Sequence, residues 1–385
     1  MESFSCRHFD ALTCRSCSYL DQTAEAAISG KQSHLQSLFP DVTLQPAVVC
    51  ETPYGSRIRA RLAVAGTFDN PVFGFFNDLQ QVVPVADCPL HHPLITGAIA
   101  AVSQFVGSAK LTPYSPERNA GELKFLVLTA SPSHDQLMIQ WVLRSREAVD
   151  RIRSVWRKLS AAERGPLSVM SIGIQTQRSS RIYGEEDILI SETRRLPIQF
   201  GPVVLGLGSG SFVQTNHEIA SKLYLAAEQR LAGGRPGRVL DLYCGTGAFS
   251  LLAGKCGHDV LGIDITEESI ASAIDSAESQ RITARFTCRS LQAFQAAELA
   301  GQAFDTVICN PPRRGLDDAM RTLIKSIQPQ RILYSSCNPE TLRRDLEPLK
   351  GTMEIRFLQL FDMFPMNRQY EVLCELVRRG NATIF

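Results

Sequence analysis

The chain reads as an α/β protein whose C-terminal half is a parallel, doubly wound, Rossmann-like sheet, with a smaller α+β region before it. Three observations lead there. After about residue 200, strand-like runs alternate with helical ones: VLDLYC (239–244), DVLGID (259–264), FDTVICN (304–310) and RILYSSC (331–337). That βαβα rhythm marks a parallel sheet with helices on both faces. Before residue 200 the pattern differs. Apolar residues alternate at period two in 56–65 (SRIRARLAVA), and strand-like runs follow at 121–130, 137–143 and 168–176, with a helix near 147–160 between the last two. Such runs describe an antiparallel α+β arrangement. Finally, the glycine-bearing turn of DLYCGTG (241–247) ends one strand and opens a helix, the place where doubly wound sheets bind ligands.

The remaining elements follow in order. Residues 1–19 form a short cysteine-bearing lead, and an Ala-rich stretch from Gln22 to Leu38 reads as a helix that packs on the C-terminal unit. Glycines from Gly201 to Gly210 precede a helix over Glu218–Leu231. At 385 residues the chain exceeds one ordinary core, and the pattern change places the boundary between units 1–200 and 201–385. No internal repeat or low-complexity segment is visible.

Bulk composition excludes several classes. Hydrophobic residues make up 44% and charged residues 21%, as in a globular protein. No apolar run reaches the roughly 18 residues that span a bilayer, so no membrane association is expected. The N-terminus has no signal-peptide pattern, which makes the cytoplasm the expected compartment. A net charge of +1 means that any nucleic-acid site must come from local arginine clusters. Eleven cysteines without an export signal point to metal-binding or catalytic thiols rather than disulfides.

The turn after Asp241 carries the cofactor reading. Gly245 and Gly247 permit a tight turn and close approach of backbone to ligand. Asp264, at the end of the next strand, can accept hydrogen bonds from both ribose hydroxyls. A dinucleotide site shares these features, but Ser250 stands where its third glycine would be, and Asp241 would repel a pyrophosphate. The same acid attracts the ammonium of a methionine moiety, so S-adenosylmethionine is the expected ligand. Further on, Asn310-Pro311-Pro312-Arg313-Arg314-Gly315 makes a rigid corner after a strand.

Cys337 ends the following strand, within YSSCN, and would face the same crevice. Carbon 5 of uracil is too weak a nucleophile to attack a sulfonium methyl. Thiolate addition to carbon 6 creates an enolate that can do so, after which a base must remove the carbon-5 proton. An ordinary thiol is only a few per cent ionised at neutral pH, so Arg313 or a helix N-terminus is expected to lower its pKa. Two late carboxylates compete for the base. Glu371 opens the run VLCELV, at a strand mouth, and Asp362 lies in FDMFP. Spacing alone does not choose between them.

Taken together, SFVQTN (211–216), DLYCGTG, NPPRRG, YSSCN and FDMFP…YEVL resemble the RNA uracil-5-methyltransferase family over essentially the whole chain. The resemblance implies S-adenosylmethionine contacts from Gln214, Tyr243, Asp264 and Asn310, with Cys337 as nucleophile and Glu371 as base. Four positions depart from the family pattern. Asn310 replaces a common aspartate, Asp264 a common glutamate, and Met366 and Gln369 stand where histidines often lie near the base.

Cys6, Cys14, Cys17 and Cys88 add an early four-thiol set. Zinc and iron–sulfur clusters both accept four cysteines. Pro89 after the fourth leans toward iron–sulfur, and the ribosomal members of the family imply a [4Fe-4S] cluster held by these residues. The cluster is expected to tie the lead to Cys88 in an RNA-binding α+β unit. Cys6 lies so near the start that no N-terminal RNA-binding barrel of the TRAM kind fits before it.

The expected substrate is therefore a uridine of 23S rRNA, of the uracil 747 class, in a hairpin loop. No obligate protein partner is evident, and a monomer is expected. Arg57, Arg59 and Arg61 share one strand face as a comb for phosphates; Arg144, Arg146, Arg151 and Arg153 form a second cluster. The competing readings are 5-methyluridine formation at another rRNA or tRNA uridine, methylation of an exocyclic amine, and a non-catalytic iron–sulfur RNA-binding protein.

Overall fold

A computed structural model describes residues 5–77, 79, 81–177, 186–290 and 303–380. Its first strand is β1 (Gln45–Val48). A second group follows: β2 (Arg59–Gly66), β3 (Pro71–Phe76), β4 (Val82–Pro84), β5 (Leu123–Ser131), β6 (Gln136–Leu143), β7 (Leu167–Ile174) and β8 (Glu186–Leu189). A hairpin of β9 (Leu196–Phe200) and β10 (Val203–Leu207) leads to β11 (Arg238–Leu242), β12 (Asp259–Asp264), β13 (Arg285–Cys288), β14 (Thr306–Cys309), β15 (Arg331–Ser336), β16 (Met353–Phe361) and β17 (Glu371–Arg378).

Two large sheets result. Strands β2–β8 make a seven-stranded sheet in the order β4-β3-β2-β5-β6-β7-β8. It is antiparallel as expected except between β6 and β7, which pair in parallel. The reason is the helix Val149–Lys158, which carries the chain across before β7 begins, as a parallel pairing requires. Trp156 on that helix is 1% exposed, and Trp141 stacks on Phe105 at 5.1 Å between ring centroids.

The second sheet has eight strands in the order β1-β16-β17-β15-β14-β11-β12-β13. Pairs from β15 to β13 are parallel, and β17 runs antiparallel to both its neighbours. Side chains alternate between two apolar layers, as a strand buried on both faces demands. Val239, Ile308, Leu333 and Leu373 face the helices His217–Ala232 and Ala248–Lys255. Leu240, Val307, Ile332 and Val372 face Asp318–Ile327, Pro339–Leu346 and Ala24–Leu38.

This last helix begins at Thr23, whose hydroxyl accepts from the Ala26 amide at 3.2 Å, a cap that satisfies an otherwise orphaned donor. It lies on the eight-stranded sheet, and β1 after it pairs in parallel with β16. The early part of the chain thus reaches both sheets.

One close approach in this fold is decisive for the cofactor edge. A Cβ on Gly262 of β12 would lie 2.7 Å from the Phe286 ring and 2.9 Å from Ser250 Oγ. Gly262→Ala is expected to destabilise the protein by about 1–3 kcal/mol through overpacking, read as a lower urea midpoint.

Candidate active site

The carboxyl ends of β11, β12, β14 and β15 share one edge of the eight-stranded sheet, and every expected site residue that follows a strand lies along it. At the end of β11 the backbone turns with positive φ at Tyr243 (64°), Gly245 (53°) and Gly247 (86°). Gly247 then caps the helix Ala248–Lys255, where a Cβ would lie 2.9 Å from the Ala273 methyl. Gly245 differs: a Cβ there would meet nothing within 4 Å, so the space above it is open to a ligand.

Two carboxylates flank that space. Asp264, at the end of β12, accepts from the Gly245 amide at 3.0 Å and the Thr266 amide at 2.9 Å. Those bonds fix its orientation and leave lone pairs for other donors. Asp241 is fully buried and accepts from Ser250 Oγ at 2.6 Å. Its Oδ1 has no hydrogen-bond partner among the described residues. Burial, with the Asp264 charge adding to it, pushes its pKa up to about 7. A buried, half-satisfied carboxyl gains from a cationic neighbour. Asn310, half-buried after β14, is held against the end of β11 by its amide, 3.5 Å from the Leu242 carbonyl. These groups suit a ligand with an ammonium and a ribose.

Cys337 follows β15 directly. In the antiparallel pairing of β15 with β17, Ser336 stands opposite Val372. One further step brings Cys337 opposite Glu371. The thiol is half-buried, and burial and the nearby Glu371 carboxyl push its pKa up to about 11, while Arg313 pulls the other way. The expectation of a lowered thiol pKa is therefore corrected for the free protein, because desolvation outweighs the guanidinium. Asn338 caps the helix Pro339–Leu346, and its Nδ2 donates to the Arg313 carbonyl at 3.2 Å, joining the nucleophile's strand to the NPPRRG corner.

Glu371 opens β17, yet it is only 3% exposed, deeper than a strand mouth suggests. Burial pushes its pKa up to about 8, and a hydrogen bond from the Gln214 side chain opposes the shift. Its Oε2 has no partner among the described residues. Gln214 thus stands next to the base, itself 5% exposed. Asp362 points elsewhere: it pairs with Lys31 at 2.5 Å in a buried ion pair. The geometry brings Glu371 to Cys337 and commits Asp362 to the helix Ala24–Leu38.

Sequence reasoning missed two side chains at this edge. Phe212, two residues before Gln214, is 65% exposed, and Ile265, just after Asp264, is 69% exposed. Apolar side chains left in solvent beside a polar site invite a flat ligand. Their only sequence signal is adjacency to polar site residues.

The four early cysteines line a single pocket together with His8 and Arg57. Burial pushes the Cys17 thiol up to about 11; Arg57 opposes this, and the other three thiols reinforce it. Cys88 is raised for the same first reason. Among the described residues no three His, Cys, Asp or Glu side chains are close enough to hold a metal ion as they stand. Four thiols lining one pocket are the donor type that both zinc and iron–sulfur clusters accept.

The arginine comb is corrected. Arg59 is 6% exposed and donates to the Ser211 carbonyl at 2.5 Å and the Ser209 carbonyl at 2.9 Å. It braces the segment before Gln214, because that segment covers the strand face. Arg57 turns to the cysteine pocket, and only Arg61 stays exposed. The second cluster is compensated: Arg146 pairs with Glu186, Arg151 with Glu122, Arg153 with Asp150, and Arg144 donates to the Gly121 carbonyl. No helix among the described residues is long and apolar enough to cross a membrane.

The model of the family described as tRNA (Uracil-5-)-methyltransferase matches residues 25–379. The chain is 35% identical to a 23S rRNA (uracil(747)-C(5))-methyltransferase RlmC of Shewanella pealeana, covering 97% of this chain and 99% of that one. It is 34% identical to the protein of that name from Escherichia coli O139:H28, over 97% and 100%. Among solved structures, Pyrococcus abyssi tRNA (uracil-54, C5)-methyltransferase in complex with S-adenosyl-L-homocysteine superposes with a TM-score of 0.79. That match has 24% identity and covers 94% of this chain and 85% of that one. It shows a common fold.

The buried carboxyls make stability depend on pH. A carboxyl whose pKa is raised on folding binds a proton more tightly in the folded state. For Glu371 the contribution is complete below the unfolded value of 4.5 and is lost as pH rises through about 8. The unfolding free energy of the ligand-free protein should therefore fall between about pH 5 and about pH 8. Glu371→Gln should make that fall shallower in denaturant titrations at several pH values; equal slopes would refute the assignment.

Proposed function

The chain belongs to the tRNA (uracil-5-)-methyltransferase family, and on that premise we propose that it methylates carbon 5 of a uridine in 23S rRNA, with Cys337 as nucleophile and Glu371 as base. It is an S-adenosylmethionine-dependent RNA uracil-C5-methyltransferase. The observation that supports the residue assignment is the register of β15 with β17, in which Ser336 pairs with Val372, so that the next residue, Cys337, comes level with Glu371. The RNA class rests on relatives named for uracil 747 of 23S rRNA that align end to end with this chain.

The Cys337 thiolate adds to carbon 6 of the uracil, and the displaced electron pair moves to the carbonyl oxygen at position 4. Carbon 5 then takes the methyl group, and the sulfonium leaves as a neutral thioether. Glu371 removes the carbon-5 proton, and elimination breaks the carbon–sulfur bond and frees the thiolate. Burial disfavours the charged form of both groups in the free protein. Each ionises more readily beside a cation, and a bound sulfonium is one. Gln214 orients Glu371. Asp264 and Asn310 hold the ribose and base end of the donor, Tyr243 closes the turn beside it, and Asp241 attracts its ammonium.

The target uridine must leave its stack, at a cost of a few kcal/mol that is least in a loop. Phe212 offers a face on which a base can stack, a contact of about 1–3 kcal/mol. Arg313, which acts on the Cys337 thiol, and Arg314 next to it are both exposed and suit the neighbouring phosphates. A [4Fe-4S] cluster on Cys6, Cys14, Cys17 and Cys88 would cross-link the lead to the loop after β4, a structural role for residues far in sequence from Cys337.

Labelled S-adenosylmethionine and large-subunit rRNA lacking 5-methyluridine provide the test, with the product mapped by mass spectrometry. A single 5-methyluridine in the hairpin loop of the uracil 747 region is expected. Label on another rRNA or a tRNA uridine would change the substrate, and label on an amine would refute the mechanism. Cys337→Ala should abolish transfer, whereas Glu371→Gln should lose about 10²–10⁴-fold in turnover and accumulate a covalent protein–RNA adduct. Separately, protein purified without oxygen should carry about four iron atoms per chain. Cys14→Ser/Cys17→Ser should lose the iron and melt at a lower temperature; iron-free wild-type protein with the same melting temperature would overturn the cluster.

A further inference from the structure

The helix Ala24–Leu38 holds the segment that leads into the base. Residues 362–370 connect β16 to β17, and only the first of them touches a strand end, its amide donating to the Val48 carbonyl of β1 at 2.8 Å. Lys31 donates from Nζ to Asp362 Oδ1 at 2.5 Å and to the Phe364 carbonyl at 3.0 Å. One turn later, His34 Nδ1 lies 2.9 Å from the Tyr370 hydroxyl, and the two rings meet edge to face. Ahead of the helix, the Tyr19 amide donates to the Met366 carbonyl at 3.1 Å. The two ends of the segment and its middle are thus bonded to one short stretch of N-terminal chain.

The grip comes from behind the catalytic edge. Tyr370 and Val372 join the apolar layer beneath the helix, so Glu371 between them faces the other side of the sheet. Phe361, the residue before Asp362, is the strand partner of Glu371. A shift of Asp362 or Phe364 would therefore be felt directly at the base.

Chemistry argues that the ion pair is there for position rather than stability. Lys31 is 1% exposed and Asp362 6%. Removing two charges from water costs about as much as their attraction returns, and apolar residues of similar volume often serve a core equally well or better. An ion pair with a second bond to a backbone carbonyl instead specifies one placement of the chain.

We propose that Lys31 is a positioning residue for the proton-removal step. By pinning Asp362 and Phe364 it holds the turn into β17, so that the Glu371 carboxyl keeps its place opposite Cys337. The proposal rests on Glu371 being the base.

The experiment compares Lys31→Met, Lys31→Arg, Asp362→Asn, the double variant Lys31→Met/Asp362→Leu, and Glu371→Gln. With a 23S rRNA hairpin and labelled S-adenosylmethionine, released 5-methyluridine and denaturant-resistant protein–RNA adduct are measured beside the melting temperature. The double variant is expected to melt within a few degrees of wild type, yet to release product at least tenfold more slowly and to trap methylated adduct, as Glu371→Gln does. Lys31→Arg, which keeps the charge, should recover most of the release. Asp362→Asn keeps the core volume and should trap adduct too, so the outcome does not hang on the folding of one variant. Adduct trapped by Glu371→Gln but by none of the folded Lys31 or Asp362 variants would overturn the proposal and leave the base assignment standing. Normal release by Glu371→Gln would remove the base assignment, and the proposal with it.

Discussion

In a sheet of parallel strands, every carboxyl end opens on the same edge, and no strand begins there. The antiparallel entry of β17 beside β15 breaks that rule once. It brings the start of a strand to the edge where the others finish. Glu371 therefore meets Cys337, although one opens its strand and the other follows its own. The NPPRRG corner after β14 and the turn after β11 come next in the sheet order. With strands about 4.8 Å apart, the nucleophile and the cofactor turn are separated by roughly two strand spacings, close to 10 Å. A methyl donor extending along the edge spans that distance.

Electrostatics at this edge follow from dryness. Asp241, Glu371 and Cys337 all have pKa values pushed upward, with burial as the largest cause in each case. The Arg313 guanidinium opposes this at the thiol, and it does not win. Such a site is poised for a positively charged ligand, because one arriving cation relieves several desolvated acids at once. The same physics governs the opposite face, where Lys31 permanently supplies the cation that Asp362 needs.

Much of this was legible in the sequence. The parallel sheet could be read because its strands are buried on both faces and end in turn residues; DVLGID coincides with β12. Cys337, Asp264, Asn310 and the Gly245 turn could be placed because strand ends in such a sheet converge. The arginine strand was misread, since period two reveals which side chains share a face but not what covers it. For Arg59 the cover is the Ser209–Ser211 segment, some 150 residues away in sequence. The depth of Glu371 was hidden for the same reason: Gln214, its neighbour, arrives from before β11. β1 was not foreseen, because four residues carry too little pattern to reveal a pairing with β16. That Asp362 is tied to the helix Ala24–Leu38 was hidden as well, because its partner Lys31 lies 331 positions away.

β1 has a consequence for how the chain is threaded. It lies at the edge of the eight-stranded sheet, while β2 to β8 build the other sheet before the chain returns through β9. The seven-stranded unit is therefore topologically an insertion: the chain enters the catalytic sheet, leaves it and comes back. No single cut separates the two sheets without stripping β1 from β16 and baring a strand edge. During synthesis, β1 is made about 300 residues before the β16 strand with which it pairs. The catalytic sheet is complete only when Gln45–Val48 meets Met353–Phe361.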